Sequence, residues 1–398
     1  MKKYAFFAAA AMLFASCSSE DAPVPVTGGE GETHPVEVTF DFTVASGTAS
    51  RAEQGRPLYS SEPLQQVDEL YLYIFKNGTY AGVSQQITDF NYTTPKGTKS
   101  HTYTFKPELE AATYQFLAIG REDGTKVFAD LALTKDETTI DNVLVELGQD
   151  VEHASEIFGG ISESYTIDKD TKSLDAKVDL YRLVAGVLGY FKNIPVKVVQ
   201  NDKEVEVATV TVDMIKKSTN VNVQSLLGNA TTEGYVTLLK IDPAEQGGTK
   251  EVSDGHNYWS CNEVTAMDET HKYTKVANSF LAGGYALPFT KAQATATFRV
   301  ALRDSEGNVL KEYPVKLSTD RTTTLFDIEA NHYYELGHKE FDGEKPKDPK
   351  DPDDPDDPDP ENPDPDTPDP DEPIDLAKDQ IIVVTVHATW TEIHHLVI

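Results

Sequence analysis

Short runs that alternate apolar and polar residues fill the chain from residue 36 to about residue 341. Val36, Val38, Phe40, Phe42 and Val44 alternate with Glu37, Thr39, Asp41 and Thr43, the period-two pattern of a half-buried strand. Residues 70–75 meet Asn77-Gly78 and then residues 79–83, which predicts a hairpin on the dipeptide that type I′ turns prefer. Residues 101–105 and 113–119 predict further strands. Phe298, Val300 and Leu302 alternate up to a polar stretch at 304–308, and Tyr313, Val315 and Leu317 alternate back, a second hairpin. Helical periodicity is scarce, and residues 140–147 read as one short helix or a strand. The long apolar run VDLYRLVAGVLGYFKNIP, residues 178–195, reads as a buried strand. Gly186 and Gly189 interrupt any helix there and Pro195 ends the run. Phe158-Gly159-Gly160 reads as a strand end or bulge.

About 300 residues of short strands with frequent turns fit two β-sandwich domains better than one, with the break expected in the polar stretch at 168–172. Beyond them, residues 345–373 hold eleven prolines and eleven aspartates. Proline removes amide donors and the aspartates repel, so this segment predicts an extended tether, on the order of 90 Å if straight at about 3.1 Å per residue. After it the pattern changes again. Ile382, Val384, Val386, Ala388 and Trp390 point one way, and Ile381, Val383, Thr385, His387 and Thr389 the other, which predicts a terminal strand.

Charge and cysteines narrow the chemistry. A net charge of −31 argues against nucleic acid or an anionic membrane surface as a partner. Residues 346–373 carry thirteen acids against two lysines, so −11 of the total sits in one segment. Lys2 and Lys3, an apolar run over residues 4–15 and Ser16-Cys17 read as a targeting segment. Phe14-Ala-Ser-Cys17 resembles a lipobox, with Phe where Leu is usual; it makes Cys17 the lipidated first residue, anchored in the outer membrane at least transiently. The acids Glu20 and Asp21 behind it resemble a surface-export signal. Cys261 is the other cysteine, so no internal disulfide framework is expected, and it reads as a small buried residue. No nucleophile elbow, Walker loop or zincin helix occurs, so an enzyme is not expected, nor a cofactor. His387, His394 and His395 make a poor metal site, because adjacent histidines on a strand face opposite sides. No calcium site is expected in the tether, which has no glycine for a tight loop.

What remains is the pairing of the two ends. The first strand is followed by Gly-Thr-Ala-Ser, Arg51 and Ala52, a small flexible stretch suited to an arginine-specific protease. The only other arginine before residue 121, Arg56, is followed by the resistant Pro57. A free hydrophobic terminal strand is an aggregation hazard unless a groove receives it. Removing the first strand empties such a groove. Donation of one molecule's terminal strand to the slot emptied in the next is β-strand addition, and head-to-tail contacts of this kind build filaments.

At this point the sequence resembles the Bacteroidetes fimbrillin family, the major and minor fimbrial subunits of the type V pilus. The resemblance rests on the lipoprotein signal, the Arg51-Ala52 site after a first strand, EIFGG at 156–160, LYRLVAG at 180–186, NHYYELG at 331–337 and the terminal strand with Trp390. It implies an all-β fold of two transthyretin-like Greek-key β-sandwich domains. It also implies export as a lipoprotein, cleavage after Arg51, and donor-strand assembly with other copies or related fimbrial subunits on the cell surface, as a stalk or adaptor. The expected division is a lipoprotein signal at 1–17 and a leader with the removable strand at 18–51. Sandwiches follow at 52–170 and 171–342, the Asp/Pro linker at 343–375 and the donor strand at 376–398. The alternative is a monomeric surface lipoprotein that binds glycan or a host ligand. There the terminal strand closes its own sandwich, and Trp259, Tyr333 and Tyr334 form an aromatic platform.

Overall fold

The computed structural model describes residues 31–44, 66–67, 69–88, 90, 92–93, 100–121, 127–149, 151, 153–215, 218–228, 234–253, 255–267, 272–291, 297–337, 373–378 and 382–387. Among them, the sole helical element is the 3-10 turn Ile140–Asn142; the strand Leu144–Glu146 follows, so residues 140–147 supply both of the expected forms.

The first sheet contains β1 (Glu37–Val44), β2 (Glu69–Lys76), β3 (Thr79–Ile87), β4 (Ser100–Phe105), β5 (Ala112–Arg121), β6 (Ile157–Ile161) and β7 (Ser173–Arg182), in the spatial order β3-β2-β5-β6-β7-β1-β4. The β2–β3 turn is the one that Asn77-Gly78 specifies: both residues take positive φ, 49° and 84°, as a type I′ turn requires. Gly160 lies inside β6, not at a strand end or bulge. A Cβ there would come within 2.0 Å of the Asp179 carbonyl oxygen on β7, so the glycine permits close backbone approach.

The second sheet contains β8 (Ala185–Lys192), β9 (Thr209–Met214), β10 (Val236–Ile241), β11 (Ser279–Ala286), β12 (Phe298–Arg303), β13 (Val309–Leu317), β14 (Tyr333–Leu336) and β15 (Ile382–His387). Their order is β10-β9-β12-β13-β15-β14-β8-β11. The β12–β13 hairpin matches the alternation at 298–317.

The apolar run at 178–195 is two strands, not one. β7 belongs to the first sheet and β8 to the second, and Leu183-Val184 carries the chain across. The first sheet therefore extends to Arg182, past the break expected at 168–172 and the boundary placed after residue 170. The reason is that β7 is wanted on both of its edges, by β1 and by β6.

Each sheet curls around its own apolar cluster, and a third cluster joins them. Phe75, Leu117, Ile119 and Ile157 of the first unit pack with Leu188, Tyr190, Leu281, Tyr285 and Tyr333 of the second, with Leu183 and Val184 between. Residues 144–146 also pair antiparallel with 220–222 across the joint. Buried Arg182 stands at the crossing, ion-paired with Glu156 and 5.1 Å above the Phe158 ring. The architecture is all-β, two sandwiches built in series on a shared core.

Candidate assembly site: two end strands and their slots

β1 lies between β7 and β4. It runs parallel to β7 over its full length, Glu37 opposite Ser173 through Val44 opposite Leu180. It runs antiparallel to β4, Val38 opposite Phe105 through Thr43 opposite Ser100. The alternation of β1 does what its pattern predicts: Val36, Val38, Phe40 and Phe42 are each 0% exposed. Phe40 stacks on Phe42 with ring centroids 5.6 Å apart and meets Phe116 of β5 edge-on at 4.8 Å. Four fully buried side chains of this kind contribute on the order of 6–12 kcal/mol as an upper bound. The polar face carries a loose, exposed pair, Lys106 to Glu37 at 3.3 Å. The entry to the strand is tied by backbone bonds: Val36 donates to the Pro107 carbonyl at 3.1 Å and Glu37 to the Lys172 carbonyl at 2.9 Å. Nearby, hydrogen bonds from Thr171 and the Asp170 amide hold the Asp168 carboxyl below its usual range at the turn into β7.

β15 does not hang free. It lies in the second sandwich of its own chain, between β13 and β14. Ile382, Val383 and Val384 pair parallel with Val315, Lys316 and Leu317; Thr385, Val386 and His387 pair antiparallel with Glu335, Tyr334 and Tyr333. Ile382 and Val384 are fully buried and Val386 packs against the same core, the face the alternation specifies. Period two fixes which side chains turn inward, but it says nothing about which sheet takes the strand. Just before it, the short strand Ile374–Asp375 pairs parallel with the end of β8, Ile374 opposite Phe191. The Asn193 amide donates to the Asp375 carboxylate at 2.8 Å, and the Leu376 amide to the Lys192 carbonyl at 3.0 Å. Beside β15, burial pushes the Tyr334 phenol up, and its hydroxyl donates to the Asp327 carbonyl at 2.9 Å.

Both end strands thus sit in slots of one design, with a parallel neighbour on one edge and an antiparallel neighbour on the other. A strand that fits one has the polarity to fit the other. Each is attached through a long connection: residues 45–65 follow β1, and 338–373 lead to Ile374.

Cys17, Arg51, Ala52, Ala388, Trp390, His394 and His395 lie outside the described residues, as do the tether residues 338–372. Trp259, Tyr333 and Tyr334, the expected platform, are buried at 4%, 0% and 1% exposure; their rings are wanted by the second core. Cys261 is half-buried against that core, its thiol 3.2 Å from the Ser279 carbonyl. Among the described residues no cluster of three or more His, Cys, Asp or Glu side chains could hold a metal, and no helix is long and apolar enough to cross a membrane.

Comparison with known families matches residues 32–337 to the family of fimbrillin-A associated anchor proteins Mfa1 and Mfa2. No curated protein matches in sequence. Among solved structures, the fimbrial anchor protein Mfa2 from Porphyromonas gingivalis is similar at 12% identity and TM-score 0.42, covering 76% of this chain and 90% of that one. The fimbrilin FimA from P. gingivalis gives 11% and 0.41 over 90% and 97%. The tip fimbrial protein Mfa3, with a C-terminal truncation, gives 13% and 0.37 over 76% and 94%.

Proposed function

The chain belongs to the family of fimbrillin-A associated anchor proteins Mfa1 and Mfa2, and from that membership we propose that it is a cell-surface fimbrial subunit joined to its neighbours by exchange of its end strands. The observation that carries this reading is the common design of the two slots. Cleavage after Arg51 frees β1 and opens a slot with the polarity that β15 already accepts. A neighbour's β15 leaves its own sandwich, reaches across on the Asp/Pro tether, and buries Ile382, Val384 and Val386 where Val38, Phe40 and Phe42 were. The exchange replaces one buried ladder with another. While β1 remains attached it competes at high effective concentration, so the cut is the switch.

Export begins with Cys17 as the lipidated residue. A cut after Arg51 removes the leader and its lipid together, so opening the slot and releasing the molecule are one event. A cut chain accepts and donates strands as a stalk or adaptor subunit. The family's description as anchor proteins favours a second arrangement: an uncut chain keeps its lipid and β1, and only donates β15.

The test is the N-terminal residue of the protein recovered from the cell surface, combined with two variants. Ala52 at the N-terminus supports the stalk or adaptor form, and a blocked Cys17 the anchor form. Removal of residues 379–398 is expected to leave an exported protein that joins no neighbour and gives no SDS-resistant ladder on unboiled gels. Normal fimbriae from that strain reject strand donation. Arg51→Ala is expected to trap the precursor of a stalk subunit; wild-type polymer from it places the switch elsewhere.

A further inference from the structure

Away from the slots, a cleft of about 520 Å³ opens at the end of the second sandwich, where β8 finishes. Four stretches distant in sequence line it: Asn193 past β8, the hairpin tip with His256 and Tyr258, Lys311 and Tyr313 on β13, and the segment ending in Lys378. On the strand His256–Ser260 alternate residues turn opposite ways. Trp259 enters the core and its indole N–H donates to the Val207 carbonyl at 3.3 Å. Tyr258 stays half-buried in the cleft wall, its hydroxyl 2.8 Å from His256 Nδ1. Asn257 bonds the Lys197 backbone through both ends of its amide, at 2.9 and 3.1 Å, which fixes the tip.

Tyr313 belongs to the second core and lines the cleft with its ring beneath Lys311. Lys311 holds its ammonium 4.5 Å from the centroid of the Tyr313 ring and, among the described residues, has no carboxylate partner. Lys311 and Lys378 both line the cleft, and no Asp or Glu is among its lining residues. A cation lying on an aromatic face beside a second tyrosine suits a ligand with an apolar C–H face, hydroxyls and one anionic group.

We propose that this cleft binds a carboxylate-bearing sugar of the hexuronic acid class, its ring against Tyr258 and its carboxylate on the Lys311 ammonium. Lys378 lies 3.8 Å from the Asp375 carboxylate and forms the far wall. That wall comes from the chain beyond the tether, so the cleft is complete only while residues 373–378 are docked on β8. Ligand binding and docking are therefore linked: what binds only the docked state stabilises it in proportion to ln(1 + [L]/Kd).

Calorimetric titration of the full chain with methyl β-D-glucuronide and methyl β-D-glucoside tests the assignment, because the two differ only at C6. The glucuronide is expected to bind at least tenfold tighter. Lys311→Met and Tyr258→Ala are each expected to weaken it at least tenfold; Lys311 is exposed, so its replacement leaves the fold, checked by melting temperature, unchanged. The glucuronide is also expected to slow hydrogen exchange at the Leu376 amide. Equal affinity for the two sugars, binding of neither, binding of an Asp-Pro peptide instead, or wild-type affinity in Lys311→Met overturns the proposal.

Discussion

β1 is zipped along both edges, to residues 173–180 of β7 and to residues 100–105 of β4, and its inward Val38, Phe40 and Phe42, with Val36 just before it, are fully buried. β15 is shared out: among the described residues, 382–384 pair with β13 and 385–387 with β14. Among the described residues no stretch of β15 is held on both edges at once, whereas residues 38–43 of β1 are. The two slots have the same polarity but unequal grip. A strand held along half of each edge can peel from either end without breaking both ladders together. A strand held on both edges leaves only if something removes its tether. In the proposed exchange this difference gives complementary roles, β1 as the strand that must be cut to go and β15 as the strand that can go uncut. It also gives the proposed exchange a direction, because a β15 that moves into an emptied β1 slot gains ladder length.

The largest expected effect tests the deep slot. Phe40→Ala removes a fully buried ring that touches Phe42 and Phe116 and leaves a cavity, so the first sandwich should lose about 3–5 kcal/mol in urea denaturation. Ile382→Ala, equally buried, should cost about 2 kcal/mol, the low end for such a truncation, because its singly paired strand can shift to fill the gap. Equal losses would erase the proposed difference in grip. Amide exchange sharpens the same comparison: amides of residues 38–42 should exchange only with global opening, and those of 383–386 should exchange faster through local release.

The comparison also separates what the sequence carries from what it cannot. The inward faces of both end strands are legible, because alternation is a property of the strand alone. So are the two hairpins: Asn77 and Gly78 are chosen by their own φ values, whatever the rest of the chain does. The destination of β15 is not legible, since any slot with one parallel and one antiparallel edge accepts the same pattern. The crossing at Leu183-Val184 does leave a mark: β7 alternates exposed and buried residues, with Tyr181 exposed between Leu180 and Arg182, whereas β8 is buried from Ala185 to Phe191. The cleft was hidden for a different reason. Its lining includes residues 193, 256–258, 311, 313 and 376–378, which nothing in the local sequence relates; two lysines and no acid face it once the fold is known.

The smallest effect expected concerns the turn that abuts β15. Leu317 pairs with Val384, and the next amide, Ser318, donates to the Val384 carbonyl at 2.9 Å. That position is held by the loop after it. The Asp320 carboxylate accepts from the Thr323 hydroxyl at 2.5 Å and from the Thr323 and Thr322 amides at 2.8 and 2.9 Å, and these bonds push its pKa down to about 2. The unfolded chain titrates near about 3.9, so the folded form binds its proton less readily than the unfolded one. The contribution of Asp320 is therefore complete above the unfolded value and is lost as pH falls through about 2. Because the carboxylate is fully exposed, the loss should be local. Between pH 4 and 2 the opening free energy read from exchange at the Ser318 amide should fall, with no matching change at residues 38–42 of β1. Asp320→Asn keeps an acceptor but cannot titrate, so it should flatten the pH dependence at Ser318 and leave β1 unaltered. Parallel loosening of both end strands, or an unchanged profile in Asp320→Asn, would mean that acid acts through the shared core, and that the weaker grip on β15 does not lie in this turn.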